Sequence, residues 1–406
     1  MENLYLKNYI KDFIDFIPPK GSKVLQINKN NYTSIFKNNF NQYDYIFLIS
    51  ILEIEQDILA FFEEVNKHLK DDGKLIVIYS NYLYAFLSGR QINWLSRYDV
   101  KTFLTLSNFD IILSQPFCFL PFFIPVASFL FNSILQYIFP FNHLGYFHYV
   151  SARKKSNAVK DISVSIIVPA RNEAGTIPTL FENIPPLGTK TEIIFVEGHS
   201  KDDTLNVIKQ CIKKYSSVLP FSYKLIIQKS STGKASAVRL GFEKATGDVL
   251  IIYDADQTVK IQELKKFYFA LINHIGDVVN GSRLIYPLQG KAMQFLNILG
   301  NKVFSMVYSW LLGQTIKDTL CGTKALWRKD YTHMKKDPVL FGQYDPFGDF
   351  DLLLGASKLQ LKITDLPVRY YERQYGATNI KRFKNAWELA RFSIIAYKYL
   401  RVRTSK

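Results

Sequence analysis

The chain has 406 residues, 51 Lys and Arg against 35 Asp and Glu, a formal net charge of +16 and three dispersed cysteines. That length suits two or three domains with sizeable cores, and cysteines without metal or redox spacing fit a reducing compartment. The basic balance asks for an anionic partner, yet helix-turn-helix spacing, zinc modules and aromatic-basic RNA signatures are missing, which leaves phosphorylated ligands and lipid headgroups ahead of nucleic acid.

In chain order, the opening MENLYLKNYIKDF is amphipathic, carries acidic residues and does not read as a signal peptide. Strands are expected at Lys23–Ile27, at Asp44–Ile49 and, after a helix, in the run ending at Leu75-Ile76-Val77-Ile78. From Ile111 to Asn142 there is no charge and much Phe, Leu and Ile, but Pro116, Pro121, Pro125 and Pro140 break the run. Its longest uninterrupted piece, Val126 to Phe139, would rise only about 21 Å as a helix, short of the roughly 30 Å hydrocarbon layer. The expectation is a short helix packed on its domain or dipping into one leaflet, not a span. Ala152 to Lys160, polar and basic, reads as a linker.

Beyond it, Ser163-Val164-Ser165-Ile166-Ile167-Val168 is a buried strand entering the polar loop Pro169-Ala170-Arg171-Asn172-Glu173. A second strand, Glu192–Glu197, runs into Gly198-His199-Ser200-Lys201-Asp202-Asp203-Thr204 and a helical pattern, where Asp202 is expected to cap the helix. A helix from about Ser236 to Ala245 precedes the apolar run Val249–Tyr253, which ends on Asp254-Ala255-Asp256. Alternating strands and helices predict a parallel, doubly wound α/β sheet. Two acids one residue apart at the carboxyl end of such a strand suit a hard divalent cation and, through it, a diphosphate. The apolar pattern from Met293 to Leu312 reads as a buried helix, with Asn301 and Lys302 positioned to face an acceptor phosphate. From Lys381 onward an amphipathic basic helix is expected, with Trp387, Ala390, Ile394 and Tyr397 on one face.

Seven segments stand in a recognisable order: VSIIVPARNE, VEGHSKDDT, GKASAVRLGFEKATGD, the Asp-Ala-Asp triplet, Asn280–Arg283, Lys317–Lys324 and LPVRYYERQYGATNI. Together they resemble the family 2 glycosyltransferases of GT-A fold, in the polyprenyl-phosphate (dolichol-phosphate mannose synthase-like) branch, over residues 162–380. The resemblance implies an inverting hexosyl transfer from a nucleotide-diphosphate sugar, with Mg2+ or Mn2+, to a lipid phosphate at the inner membrane face. Transfer to a glycan hydroxyl, a bifunctional enzyme that also methylates, and a non-catalytic scaffold are the rivals.

By the same resemblance, Pro169, Arg171, Glu173, Glu197 and Lys234 would grip the nucleotide sugar. Asp254 would face the sugar nucleotide, with Asp256 binding the metal. Arg283 would lie near the acceptor and Arg373 in the loop that closes over the diphosphate. Asp318 would face the reaction centre, as general base for a hydroxyl acceptor or as an orienting group for a phosphate, with Asp349 or Asp351 behind it. The chain departs from the pattern at Glu197, where Asp is usual, at Thr258, where the branch has Gln, and at Asn379, where it has Lys.

Residues 1–155 resemble the second half of a class I S-adenosylmethionine-dependent methyltransferase. The turn after the first strand, Asn28-Lys29-Asn30-Asn31, lacks the glycines that let a backbone approach the cofactor. Too few residues follow for the missing strands. The expectation is a truncated, Rossmann-like, non-methylating remnant at 1–155, a GT-A domain at 162–380 and a terminal helix at 381–406.

Overall fold

The computed structural model describes residues 4–32, 42–87, 93–138, 141–159, 162–229, 233–286, 295–337, 348, 350–376 and 382–401. Asp349, Asn379 and Lys381 lie outside them. The chain divides into two compact units. One holds residues 1–156 with 358–360 and 397–406; the other holds 157–357 and 361–396.

The first unit is a five-stranded sheet: β1 (Val24–Ile27), β2 (Tyr43–Ile49), β3 (Leu69–Ser80), β4 (Phe109–Cys118) and β5 (Phe147–Lys154), in the order β1-β2-β3-β5-β4. The first three strands run parallel, and β5 lies antiparallel between β3 and β4. Strand period two sorts the core into layers. Ile46, Leu48, Leu75 and Val77 pack with Phe62, Val65, Val100 and Leu104 of the helices Ile58–His68 and Arg97–Leu106. Phe47, Ile76 and Ile78 pack with Tyr9 and Phe13 of the helix Leu4–Phe16. The turn after β1 is closed by its own asparagines: Asn28 N–H donates to Asn31 Oδ1 (2.8 Å), and Asn31 Nδ2 donates to the Gln26 carbonyl (2.9 Å).

The uncharged stretch does not form one helix. Its first quarter belongs to β4, and short turns of mixed helical type follow at Ala127–Phe129, Leu130–Ile134 and Leu135–Tyr137. Among the described residues no helix is long and apolar enough to cross a membrane.

The second unit has β6 (Ser163–Ala170), β7 (Lys190–Glu197), β8 (Phe221–Ile227), β9 (Val249–Ile252), β10 (Val278–Ser282), β11 (Lys324–Trp327) and β12 (Ile363–Pro367), in the order β12-β10-β11-β9-β6-β7-β8. The sheet is parallel except at β11, which runs antiparallel to both β9 and β10. This departs from the fully parallel expectation, and it serves the site. With Lys324 opposite Ile252, the chain entering β11 arrives at the carboxyl end of β9, beside the paired acids.

The helix Phe295–Leu312 buries Asn301, Ser305 and Tyr308 but leaves Lys302 exposed, so those two neighbours face opposite ways. The terminal helix Arg382–Arg401 buries Leu389, Phe392, Ala396 and Leu400, and leaves Trp387 and Ile394 in solvent. Of the four residues expected to share a face, Trp387 and Ile394 are thus outward, while Ala390 and Tyr397 are half-buried.

Candidate active site

The first two strand-to-helix loops of the second unit are knitted together. Asn172 N–H donates to Ser200 Oγ (3.0 Å), Lys201 N–H to Asn172 Oδ1 (2.7 Å) and Glu173 N–H to Thr204 Oγ1 (2.8 Å). Pro169 lies on β6 opposite Val196, and Arg171 stands exposed at the mouth of the loop. Glu197, buried at the end of β7, accepts from Ser200 N–H (2.6 Å) and His199 N–H (3.1 Å), so its carboxylate shapes the turn. His199 has φ +55° and its ring contacts the Gln228 carbonyl, as befits a turn residue. Asp202 accepts from Thr204 N–H at the start of the helix Thr204–Tyr215 and from Ala174 N–H.

Strand β9 delivers the acids. Tyr253 is buried and donates to the Val259 carbonyl (2.7 Å), fixing the loop in which Asp254 and Asp256 stand. Each acid has drawn a cation from elsewhere in the chain. Lys234, the first residue of the helix Lys234–Lys244, reaches Asp254 at 2.6 Å, and Arg373 reaches Asp256 at 2.7 Å. Gly322 makes room for the first pair, since a Cβ there would collide with both Asp254 and Lys234. The other Asp256 oxygen accepts from Thr258 N–H (3.1 Å) and Thr258 Oγ1 (2.9 Å), while Gln257 turns away to the Thr176 carbonyl.

Arg373 also pairs with Glu173 at 2.7 Å. Burial, with the Asp256 carboxylate adding to it, pushes Glu173 up to about 7 against the pull of that guanidinium. The strap bearing Arg373 is latched at its far end. The Tyr375 ring lies where a side chain on Gly175 would have to go, and Tyr375 donates its hydroxyl to Asp202 (3.2 Å). Sequence reasoning did not single out Tyr375; its one signal is the clustering of Tyr370, Tyr371 and Tyr375 around Arg373.

The all-oxygen donor pair Asp254 and Asp256 is of the kind that Mg2+ and Mn2+ take, and the resident cations mark where positive charge is wanted. Among the described residues no three His, Cys, Asp or Glu converge as a closed metal site. An ion held by these two acids would take its remaining ligands from diphosphate and water.

Asp318 arrives on the chain before β11 and is fully buried. Its carboxylate accepts from Arg283 N–H (3.0 Å), Nε (2.7 Å) and Nη2 (2.9 Å), from Asn301 Nδ2 (2.6 Å) and from Leu320 N–H (3.0 Å). Burial alone would raise its pKa, but the Arg283 charge and these donors hold it at about 2. Arg283 in turn lies over the Tyr370 ring, 5.0 Å from its centre. Asn301 does not face the cleft as expected: its carbonyl oxygen accepts from Thr319 N–H (3.2 Å), so the amide braces the Asp318 turn. Asp351, on the helix Phe350–Lys358, is buried and paired with Arg239 at 2.9 Å.

Residues 165–332 match the family model described as glycosyl transferase family 2. A dolichyl-phosphate beta-glucosyltransferase of Dictyostelium discoideum is 27% identical over 264 residues, covering 61% of this chain and 78% of that protein. A dolichyl-phosphate beta-glucosyltransferase of Trichomonas vaginalis is 29% identical over 57% of this chain and 73% of its own. The dolichol-phosphate mannosyltransferase of Pyrococcus furiosus is 29% identical over 44% and 50%. Among solved structures, a glucosyl-3-phosphoglycerate synthase from Mycobacterium tuberculosis aligns with a TM-score of 0.42 and 16% identity, over 60% of this chain and 82% of that one, a score too low to compare folds.

Proposed function

The chain is a glycosyltransferase, and we propose that it moves a hexose from a nucleotide-diphosphate sugar to a polyprenyl or other lipid phosphate, with inversion, at the cytoplasmic face of a membrane. The observation that carries this reading is the state of Asp318. Of the three base candidates the structure describes two: Asp318, a carboxylate with five donors and a pKa of about 2, has no room to accept a proton, and Asp351 is bound to Arg239. A hydroxyl acceptor needs a base beside it. A phosphate monoester, with its second pKa near 6, is already a nucleophile at neutral pH. Asp318 then orients Arg283, whose guanidinium supplies positive charge near the acceptor.

On the donor side, Mg2+ or Mn2+ held by Asp254 and Asp256 would neutralise the charge of the departing diphosphate. Lys234 and Arg373 stand where they can transfer their charge to the same phosphates once the acids are taken. Pro169, Arg171 and Glu173 line the nucleotide entry, and the Glu197 carboxylate holds the adjoining turn in shape. The relatives named for transfer to dolichyl phosphate support a lipid-phosphate acceptor. So does the outer face of the helix Phe295–Leu312, where Leu299, Val303 and Met306 are exposed on the side away from Asn301.

We further propose that the first unit is a truncated Rossmann-like sheet related to methyltransferases that no longer methylates. Its three parallel strands followed by an antiparallel pair support this, and the asparagine-closed turn after β1 occupies the place where a cofactor would approach.

Labelled nucleotide sugar, Mn2+ and a polyprenyl phosphate should yield an acid-labile, solvent-extractable product. Label appearing only on a saccharide hydroxyl would sink the acceptor assignment.

A further inference from the structure

Between Ile111 and Asn142 the first unit carries no charged side chain, and the middle of that stretch is built inside out. Phe122, Phe123, Ile124 and Val126 are 46, 64, 43 and 81% exposed, followed by Phe129 and Leu130 at 49 and 41%. Pro125 between them is exposed as well, so five consecutive residues face outward. Five in a row marks a projecting tip, since a strand or helix packed on a core would hide some of them. Val126, with φ +64°, turns the chain there.

The polar side chains of the same segment point the other way. Ser128, Asn132, Ser133 and Gln136 are 2, 2, 6 and 0% exposed. Two of them satisfy the loop's backbone. Asn132 Oδ1 accepts from Phe119 N–H and Leu120 N–H (both 2.8 Å), and Asn132 Nδ2 donates to the Leu120 carbonyl (2.9 Å). Ser128 Oγ accepts from Ile124 N–H (2.7 Å) and donates to the Phe122 carbonyl (3.0 Å). Pro121 and Pro125 have no N–H to satisfy.

In water such a loop would carry its polar groups outside and leave backbone hydrogen bonds to solvent. In hydrocarbon the requirement reverses: apolar side chains face out and backbone polar groups find partners within the protein.

We propose that residues 119–131 form a wedge that inserts into one leaflet of a lipid bilayer, with Phe123 and Val126 at its leading edge. Insertion of this kind reaches about 5–10 Å, into the headgroup and upper acyl region. The site lies within the first unit and does not depend on the transfer reaction, so it stands or falls apart from the lipid-phosphate reading.

The test uses the full chain and vesicles of phosphatidylcholine, with and without phosphatidylglycerol, in a flotation assay. The wild-type protein should float with both compositions and remain bound in high salt, because the contact is apolar. A Phe123→Asp, Val126→Asp double variant should lose bound fraction by at least about tenfold, since charge at that depth is costly. Both side chains are exposed, so its melting temperature should match the wild type. Should the variant fail to fold, Phe123→Trp decides: the emission it adds over wild type should shift to the blue with vesicles and be quenched by brominated acyl chains. Wild-type protein that stays in the soluble fraction, a double variant that floats equally well, or an added indole emission unmoved by lipid would each overturn the wedge. So would a wild-type dimer that the double variant breaks while vesicles remain unbound, which would make the tip an interface between copies.

Discussion

Five hydrogen-bond donors converge on the Asp318 carboxylate, and one of them, the Asn301 amide, comes from a helix that is otherwise mostly apolar. A hydrogen bond to a charged group contributes about 1.5–3 kcal/mol. Asn301→Ala should therefore cost about ten- to a hundredfold in kcat while leaving the donor KM near its wild-type value, because the amide touches no nucleotide-binding residue. A rise in donor KM at constant kcat would contradict a bracing role. Glu173 makes a second prediction, in pH. Its folded pKa, about 7, lies above the ordinary value of 4.5, so the folded protein holds the proton more tightly than the unfolded chain. The stabilisation is fully present below pH 4.5 and is lost as pH rises toward 7. Denaturant titrations of the metal-free protein should show stability declining across that window, and Glu173→Gln should flatten the decline.

The strap from Tyr370 to Gly376 ties the edge strand β12 to the first loop through Arg373 and Tyr375, and Gly175 is what lets it lie down. Any side chain at Gly175 collides with the Tyr375 ring. Gly175→Val should lift the strap and separate Arg373 from Asp256, raising the donor KM by about tenfold with little change in melting temperature. An unchanged KM would mean that the strap plays no part in donor binding.

The sequence disclosed such elements unevenly. Apolar β-branched runs such as Ile166-Ile167-Val168 and Val249–Ile252 could only be buried strands, and the acids after β9 followed from them. Strand β11, Lys324-Ala325-Leu326-Trp327, was hidden because it opens on a lysine and has no β-branched residue, and its direction depends on the long chain excursion before it. The terminal helix was legible as a helix but not in its orientation. Trp387-Ala390-Ile394-Tyr397 and Leu389-Phe392-Ala396-Leu400 are both apolar at helical spacing, so periodicity alone could not choose the buried stripe. Asn301 was assigned to the cleft for the same want of a helix phase.

At the scale of the whole molecule, two units with separate cores divide the work. The first closes the turn after β1 with its own asparagine side chains, so calorimetry with S-adenosylmethionine should give no heat of binding with the full chain. A measurable heat that competes with S-adenosylhomocysteine would reverse the assignment of a non-methylating unit. The second unit should respond to ligands as a pair. Mn2+ alone should shift its melting temperature little, and Mn2+ with a nucleoside diphosphate should shift it clearly, by mass action on a shared site.

That expectation grows from the two bridges at Asp254 and Asp256. Each of these acids is paired with a lysine or an arginine of the same chain. A lone divalent ion would have to evict those side chains with nothing to occupy them afterwards. Arriving together with a diphosphate, it would leave the displaced cations new anions to pair with. An ion held in this way would come with each nucleotide as part of the substrate and leave with it.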